Sequence, residues 1–360
     1  MTPTLRGRAR SKTSKTSPTS PTSSASPKAV ARRVAGHVAR GLAMIWVVAT
    51  ISFVIIREIP GDPVKGQYES LIQKGMSPEQ AERATAVLYG FLPTGSLWEQ
   101  YTGYINSLLH LDLGRSLSTP GVEVTTLIGS AARWTVLPVL AGTLLSFLLG
   151  VIMGVYAAIK RSGRLGDVLA LSGSLLHGVP VYVIGLLLTA IFATLWPIMP
   201  SGGPVDVEHV PGLNPGYLGS LAHHAVLPVV TYTLASYGGW ILAMKSNVVA
   251  VLGDDFILAA ELRGLKRGIV FRYIARNAIL PLFTVLALSI GMLFGGSIFI
   301  EQIFNYPGLG LLLVGSISSR DYALMGGTFL VITIGIVVAN IVADLLYTAI
   351  DPRVRSGGAA

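Results

Sequence analysis

Six stretches of this chain are apolar over a length that reaches across a lipid bilayer, and no other feature limits the fold as strongly. The hydrocarbon core of a membrane is about 30 Å thick and an α-helix rises about 1.5 Å per residue, so a crossing takes roughly 20 residues. Runs of that length cover residues 41–59, 135–159, 168–196, 226–251, 279–304 and 326–350. They are apolar around the whole circumference, which marks spans rather than surface amphipaths. With 51% hydrophobic and 12% charged residues and a mean hydropathy of +0.63, the chain is too apolar for a soluble domain of 360 residues. The expected fold is an all-α membrane protein with six transmembrane helices. The absence of cysteine excludes a disulfide framework, a thiolate metal site and a thiol nucleophile, and says nothing about location.

Lys and Arg set the orientation, because short flanking segments rich in them stay in the cytoplasm. The segment before the first run holds nine (Arg6, Arg8, Arg10, Lys12, Lys15, Lys28, Arg32, Arg33 and Arg40) and no acid. With the segments after the second and fourth runs and the C-terminus, 20 of the 27 bases fall on one side, which places both termini in the cytoplasm. Residues 1–35 read as a disordered basic cytoplasmic tail, since Ser, Thr and Pro offer little to bury against the entropy of ordering. The tail touches anionic lipid at most. The remaining divisions are a first transmembrane helix at 36–59, an extracytoplasmic region at 60–134, a five-helix core at 135–352 and a C-terminal tail at 353–360.

The region 60–134 is long for a connection and carries helix signals of its own. Ser77-Pro78-Glu79-Gln80 sets a cap, a first-turn proline and a Gln that reaches back, predicting a helix to about Leu88. Leu97, Tyr101, Ile105, Leu108 and Leu109 recur at helical spacing and predict a second helix with one apolar face. This region reads either as a landing platform for a solute-binding protein or as a lid over the span ends.

The segment most in need of an explanation is the charged stretch between the fourth and fifth runs, at about 254–278. It holds the Asp254-Asp255 pair, the small residues Ala259 and Ala260, and Gly264, where a helix can end in the left-handed conformation. A loop joining two spans has no intrinsic need of such a helix, so the segment points to a partner. The competing reading is an interfacial loop whose cations face lipid head groups. Pro281 then opens or kinks the fifth span. The pattern Ala259-Ala260, Gly264 and Ile279-Leu280-Pro281 resembles the EAA loop of type I ABC importer permeases, with Leu258 where the family has an acid.

Further stretches are similar to the dipeptide/oligopeptide/nickel branch of that family, in its order. They are Pro60-Gly61-Asp62-Pro63, Asp112-Leu113-Gly114-Arg115-Ser116, Glu301 through Gly310, Arg320-Asp321-Tyr322, Asp344-Leu345-Leu346-Tyr347 and Asp351-Pro352-Arg353. The resemblance implies the permease subunit of an ATP-driven importer of di- or oligopeptides in the bacterial cytoplasmic membrane. Its implied partners are a second homologous permease, two ABC ATPase domains that hold ATP and Mg, and an extracytoplasmic solute-binding protein, with membrane lipid around it and no nucleic acid. It implies coupling to the ATPases through Leu258, Ala259, Ala260, Glu261, Arg263 and Gly264. Ser289, Met292 and Ser297 are the candidates for the translocation pathway.

Taken by themselves, Pro60 to Pro63 and Pro307 to Gly310 read as turn chemistry, in which Gly permits a positive φ. Gly150, Gly154, Gly291 and Gly295 read as close-packing sites, and Gly178-Val179-Pro180 as a break in the third span. His223 and His224, adjacent in the chain, are poorly placed to share a metal. No phosphate-cradling Gly-x-x-x-x-Gly-Lys-Ser/Thr sequence is present, so no P-loop nucleotide site, cofactor, metal or catalytic group is assigned to this chain. Nickel complexes or oligosaccharides are alternative cargoes, and a stand-alone secondary transporter, a channel or a membrane scaffold is the rival class.

Overall fold

The computed structural model describes residues 27–58, 63–89, 96–159, 163–296 and 298–350; among them every regular element is a helix, joined by turns and irregular segments such as 196–214, and the one β feature is an isolated antiparallel bridge, Arg115 to Glu123. Among the described residues, five helices are long and apolar enough to cross a membrane, and six spans result if one bent pair counts as a single span. They are α1 (Pro27–Glu58), α5 (Val124–Ile159), α8 (Pro215–Leu252), α10 (Arg267–Gly296) and α13 (Tyr322–Ile350). The bent pair is α6 (Arg164–Gly178) and α7 (Val181–Thr189), the latter running into a π-helical turn at Ala190–Leu195. Their axes differ by 100°, so the third apolar run is broken where Pro180 removes a backbone donor. Shorter helices are α2 (Pro63–Gln73), α3 (Pro78–Tyr89), α4 (Leu97–Leu109), α9 (Asp255–Leu262), α11 (Ile298–Ile303) and α12 (Leu309–Ser318).

Several helices outrun the apolar stretches that announce them. The first begins at Pro27, so residues 27–35 are helical rather than tail. In α5, α8 and α10 the helix starts 11 to 12 residues before its apolar run (at Val124, Pro215 and Arg267), because helix continues into the aqueous boundary once the buried section is formed. Pro281 accordingly lies inside α10 and does not open it.

The core of the bundle is the α5–α8 contact, and small residues set its distance. A Cβ on Gly150 would run into the Trp240 side chain, and one on Gly154 would meet Met244 Cβ at 2.6 Å; Gly142 stands the same way against Tyr232. One face of α5 is thus a glycine stripe that takes the bulky side chains of α8. On the far side of α8, a Cβ at Gly238 would strike the Gly173 carbonyl oxygen, so α6 and α8 meet backbone to backbone. The surroundings of Gly291 and Gly295 lie outside the described side chains.

The helices of 60–134 pack on α1 and α13: Val64, Tyr89 and Tyr104 share a core with Ala49, Phe53 and Leu330. Ser77 and Gln80 form the expected reciprocal cap, and Ser96 and Glu99 form a second one at the start of α4. Of the apolar face expected for α4, Tyr101, Ile105 and Leu108 pack against this core, and its two end residues do not. Gln100 and Tyr104 are buried, whereas Leu97 and Leu109 are 62% and 77% exposed, because Tyr101 and Tyr104 turn toward Phe53 of α1.

Candidate functional site

Helix α9 is eight residues long, far too short to hold itself together in water, so its order comes from what it rests on. Ile257 and Ala260, three residues apart on one face, are 2% and 5% exposed and join a core with Val248 of α8 and Val270 and Ile274 of α10. The opposite side carries Phe256, Leu258, Ala259, Glu261, Leu262 and Arg263, all exposed. Leu258 at 57% and Leu262 at 80% are large apolar side chains left open on so short a helix. The helix stops as its sequence predicts. Gly264 has φ +69°, its N–H donates to the Glu261 carbonyl (2.9 Å), and the Leu265 N–H donates to the Ala260 carbonyl (3.2 Å). These two bonds are a Schellman termination, sealed by Leu265 packing against the same core.

The six residues singled out from the sequence are therefore brought together, but they do not share a face. Ala260 turns inward, where its small side chain lets α9 lie close to the bundle, and only Ala259 of the pair is open to a neighbour. Of the pathway candidates, only Ser289 has a described side chain. The Ser289 hydroxyl donates to the Val285 carbonyl of its own helix (2.8 Å), and Ser297 and the Met292 side chain lie outside the described residues.

At the opposite end of the bundle, two buried carboxyls tie distant segments together, in roles that the turn-like look of their motifs conceals. Glu301, 2% exposed, accepts at Oε1 from the Thr135 hydroxyl (2.7 Å) and at Oε2 from the Leu311 N–H (2.9 Å), while Thr135 Oγ1 accepts from the Leu309 N–H (2.8 Å). The acid thus satisfies the otherwise unpaired donors at the start of α12. Gly308 has φ −90°, so the expectation of a positive φ is corrected: a Cβ there would collide with the Glu301 carboxyl, and at Gly310 it would come within 2.6 Å of Ile298 Cα. Space for the carboxyl, not backbone conformation, calls for glycine.

Asp321, fully buried, accepts at Oδ2 from the Ser116 hydroxyl (2.5 Å) and from the Ser118 N–H and hydroxyl (2.9 and 2.8 Å). At Oδ1 it caps α13 through the Leu324 N–H (3.1 Å). Asp112-Leu113-Gly114-Arg115-Ser116 and Arg320-Asp321-Tyr322 are therefore two halves of one junction. A cavity of 390 Å³ opens between the two ties, lined by Ser118, Thr119, Gly308, Leu311, Ser316 and Ser319. His223 and His224 make separate contacts. His223 Nε2 faces the Ile198 carbonyl (3.1 Å), and His224, with Ser220, holds Asp206 of the segment ahead of α8. The sequence stretches at 60–62 and 351–353 and the Asp344 side chain lie outside the described residues.

A bundle of membrane-length helices around a glycine-spaced core, with one short helix presenting apolar side chains from a loop, is a polytopic membrane protein. The chain belongs to the family of binding-protein-dependent transport system inner membrane components, which residues 150–356 match, and is thus a multi-pass inner-membrane permease component. That span takes in α9 and both Glu301 and Asp321. The chain is 29% identical to the oligopeptide transport system permease protein AppB of Bacillus subtilis strain 168, over 86% of this chain and 94% of the relative. It is likewise 29% identical to the dipeptide transport system permease protein DppB of Escherichia coli K12, over the same shares of the two chains. A third relative at 29%, over 87% of this chain and 89% of its own, is the nickel import system permease protein NikB of Staphylococcus aureus strain bovine RF122.

Proposed function

We propose that this chain is the transmembrane subunit of an ATP-driven ABC importer for di- or oligopeptides, and that α9 is the point at which force enters it. Both termini and α9 lie in the cytoplasm, with α6 and α7 counted together as one of six spans and 60–134 outside. A solute-binding protein delivers the peptide, a second homologous permease completes the pathway, and two ATPase domains carry the ATP and Mg. The chain itself does no covalent chemistry.

The observation that carries this reading is the division of α9 into two faces. Ile257 and Ala260 fasten it to α8 and α10, while Leu258, Ala259 and Leu262 are left for a neighbour and Glu261 and Arg263 are open to orient it. A helix so attached moves as a unit with the spans beneath it, so a displacement by the ATPase passes to α8 and α10 and shifts the bundle between inward and outward states. Substrate delivery favours the outward state by differential binding. Peptide cargo is favoured by the names of two relatives; a nickel complex is the second reading, on the name of the third.

The test is reconstitution in liposomes. Uptake should require ATP, the ATPases and the second permease together; uptake by this chain alone without ATP would establish the stand-alone transporter instead. Gly264→Val should leave ATP hydrolysis intact and depress uptake by tenfold or so, because a β-branched residue resists positive φ by about 1–2 kcal/mol. Gly264→Asn, which tolerates that conformation, should restore most of it. Equal uptake by the two variants would remove Gly264 from the coupling machinery.

A further inference from the structure

Where α5 ends and α6 and α10 begin, the bundle leaves an apolar slot of 390 Å³. Its walls are Ile152, Met153, Tyr156 and Ile159 of α5, Leu169 of α6 and Phe271 of α10, among which the Tyr156 hydroxyl is the one side-chain oxygen. Ile152 remains 57% exposed, Ile159 48% and Phe271 43%, so no described part of the chain covers the slot. The two helix starts that border it are basic. Arg267 stands one turn before Phe271 on the same face of α10, Arg272 follows Phe271, and Arg164 opens α6, all exposed, with Asp167 the acid among them.

The geometry points to a binding site for an anionic phospholipid of the surrounding membrane, with an acyl chain in the slot and the head-group phosphate among Arg164, Arg267 and Arg272. A lipid meets both halves of this surface at once: the apolar walls pack against the acyl chain, and the arginines select charge at the head group. Free phosphate would engage the rim and leave the apolar walls unfilled. The site also connects to α9. Val155 lines the slot and belongs to the same core as Ile257 and Ala260, so a chain packed there backs the wall on which α9 rests.

The experiment uses the assembled transporter with its partner subunits in nanodiscs of equal parts phosphatidylcholine and phosphatidylglycerol, read by native mass spectrometry. Wild type should retain phosphatidylglycerol in preference to phosphatidylcholine. Arg267→Gln with Arg272→Gln should lower that preference about fivefold per arginine, the worth of one base beside an anionic surface. Ile152→Trp, which fills the slot at an exposed position, should lower retention of both lipids. Hydrogen exchange in α9 should be slower in the mixed discs than in phosphatidylcholine alone. Equal retention of the two lipids by wild type, an unchanged preference in the double variant, a partner subunit's helix cross-linked into the slot through residue 152, or identical α9 exchange in both discs would each overturn the proposal. Loss of ATP-dependent uptake bears on the transport reading alone and moves none of these readouts.

Discussion

At Glu301 one carboxyl joins α11, α5 and the start of α12, and its surroundings explain three other residues: Thr135, which relays the hydrogen bond, and Gly308 and Gly310, which make room. Glu301→Ala leaves the Leu311 N–H and the Thr135 hydroxyl without this partner, and should lower the stability of the purified protein by about 1–3 kcal/mol, read as a drop in melting temperature. Glu301→Gln keeps an acceptor and should lose less; equal losses would mean that packing, not hydrogen bonding, is what the residue provides. A different residue-level economy shows at Leu111, Asn305 and Arg320, which adopt φ of 59°, 48° and 54° in the position Gly264 occupies at the end of α9. Each closes a helix by the same pair of bonds, so the left-handed conformation is imposed by the termination. Since the Leu111 side chain is 78% exposed, Leu111→Gly should relieve the strain at little loss of packing and raise stability by up to about 1 kcal/mol; a lower melting temperature would contradict this.

Among the elements, α3 and α9 were legible in the sequence because their ends are local chemistry: Ser77 with Gln80 begins one and Gly264 ends the other. The face of α4 was legible in part: Tyr101, Ile105 and Leu108 pack as their spacing predicts, whereas periodicity also counts the exposed Leu97 and Leu109, and the burial of Gln100 and Tyr104 is decided by where α1 lies. The inward turn of Ala260 escaped for the same reason, since two adjacent alanines look alike until α8 and α10 are placed beneath them. Burial, and to a lesser degree the neighbouring Tyr101, pushes the Tyr104 hydroxyl up to about 12. The folded state therefore holds this proton more tightly than the unfolded chain, whose tyrosine titrates near 10. The associated stability is fully present below pH 10 and is lost as pH rises toward 12. Melting temperatures taken between pH 9 and 12 should fall less steeply in Tyr104→Phe than in wild type; parallel curves would assign the alkaline loss to other groups.

For the whole molecule, the apolar runs located each of the five membrane-length helices among the described residues and the bent pair α6–α7, because lipid demands long continuous stretches and the signal is local to each. Their assembly was less visible. Nothing near Ser116 and Ser118 announces a bond to Asp321, some 200 residues away, and while Gly178-Val179-Pro180 marks the break in the third run, it does not set the 100° angle between α6 and α7. The account as a whole rests on α9 offering its outer face, and not its inner one, to an ATPase. The chain contains no cysteine, so single cysteines can be placed without background. Ala259→Cys and Leu262→Cys should each cross-link to the ATPase subunit in the assembled transporter, in a yield that changes with bound ATP, while Ala260→Cys should not. Cross-linking from position 260 and not from 259 and 262, or labelling of residue 259 by a membrane-impermeant reagent from outside intact cells, would contradict it.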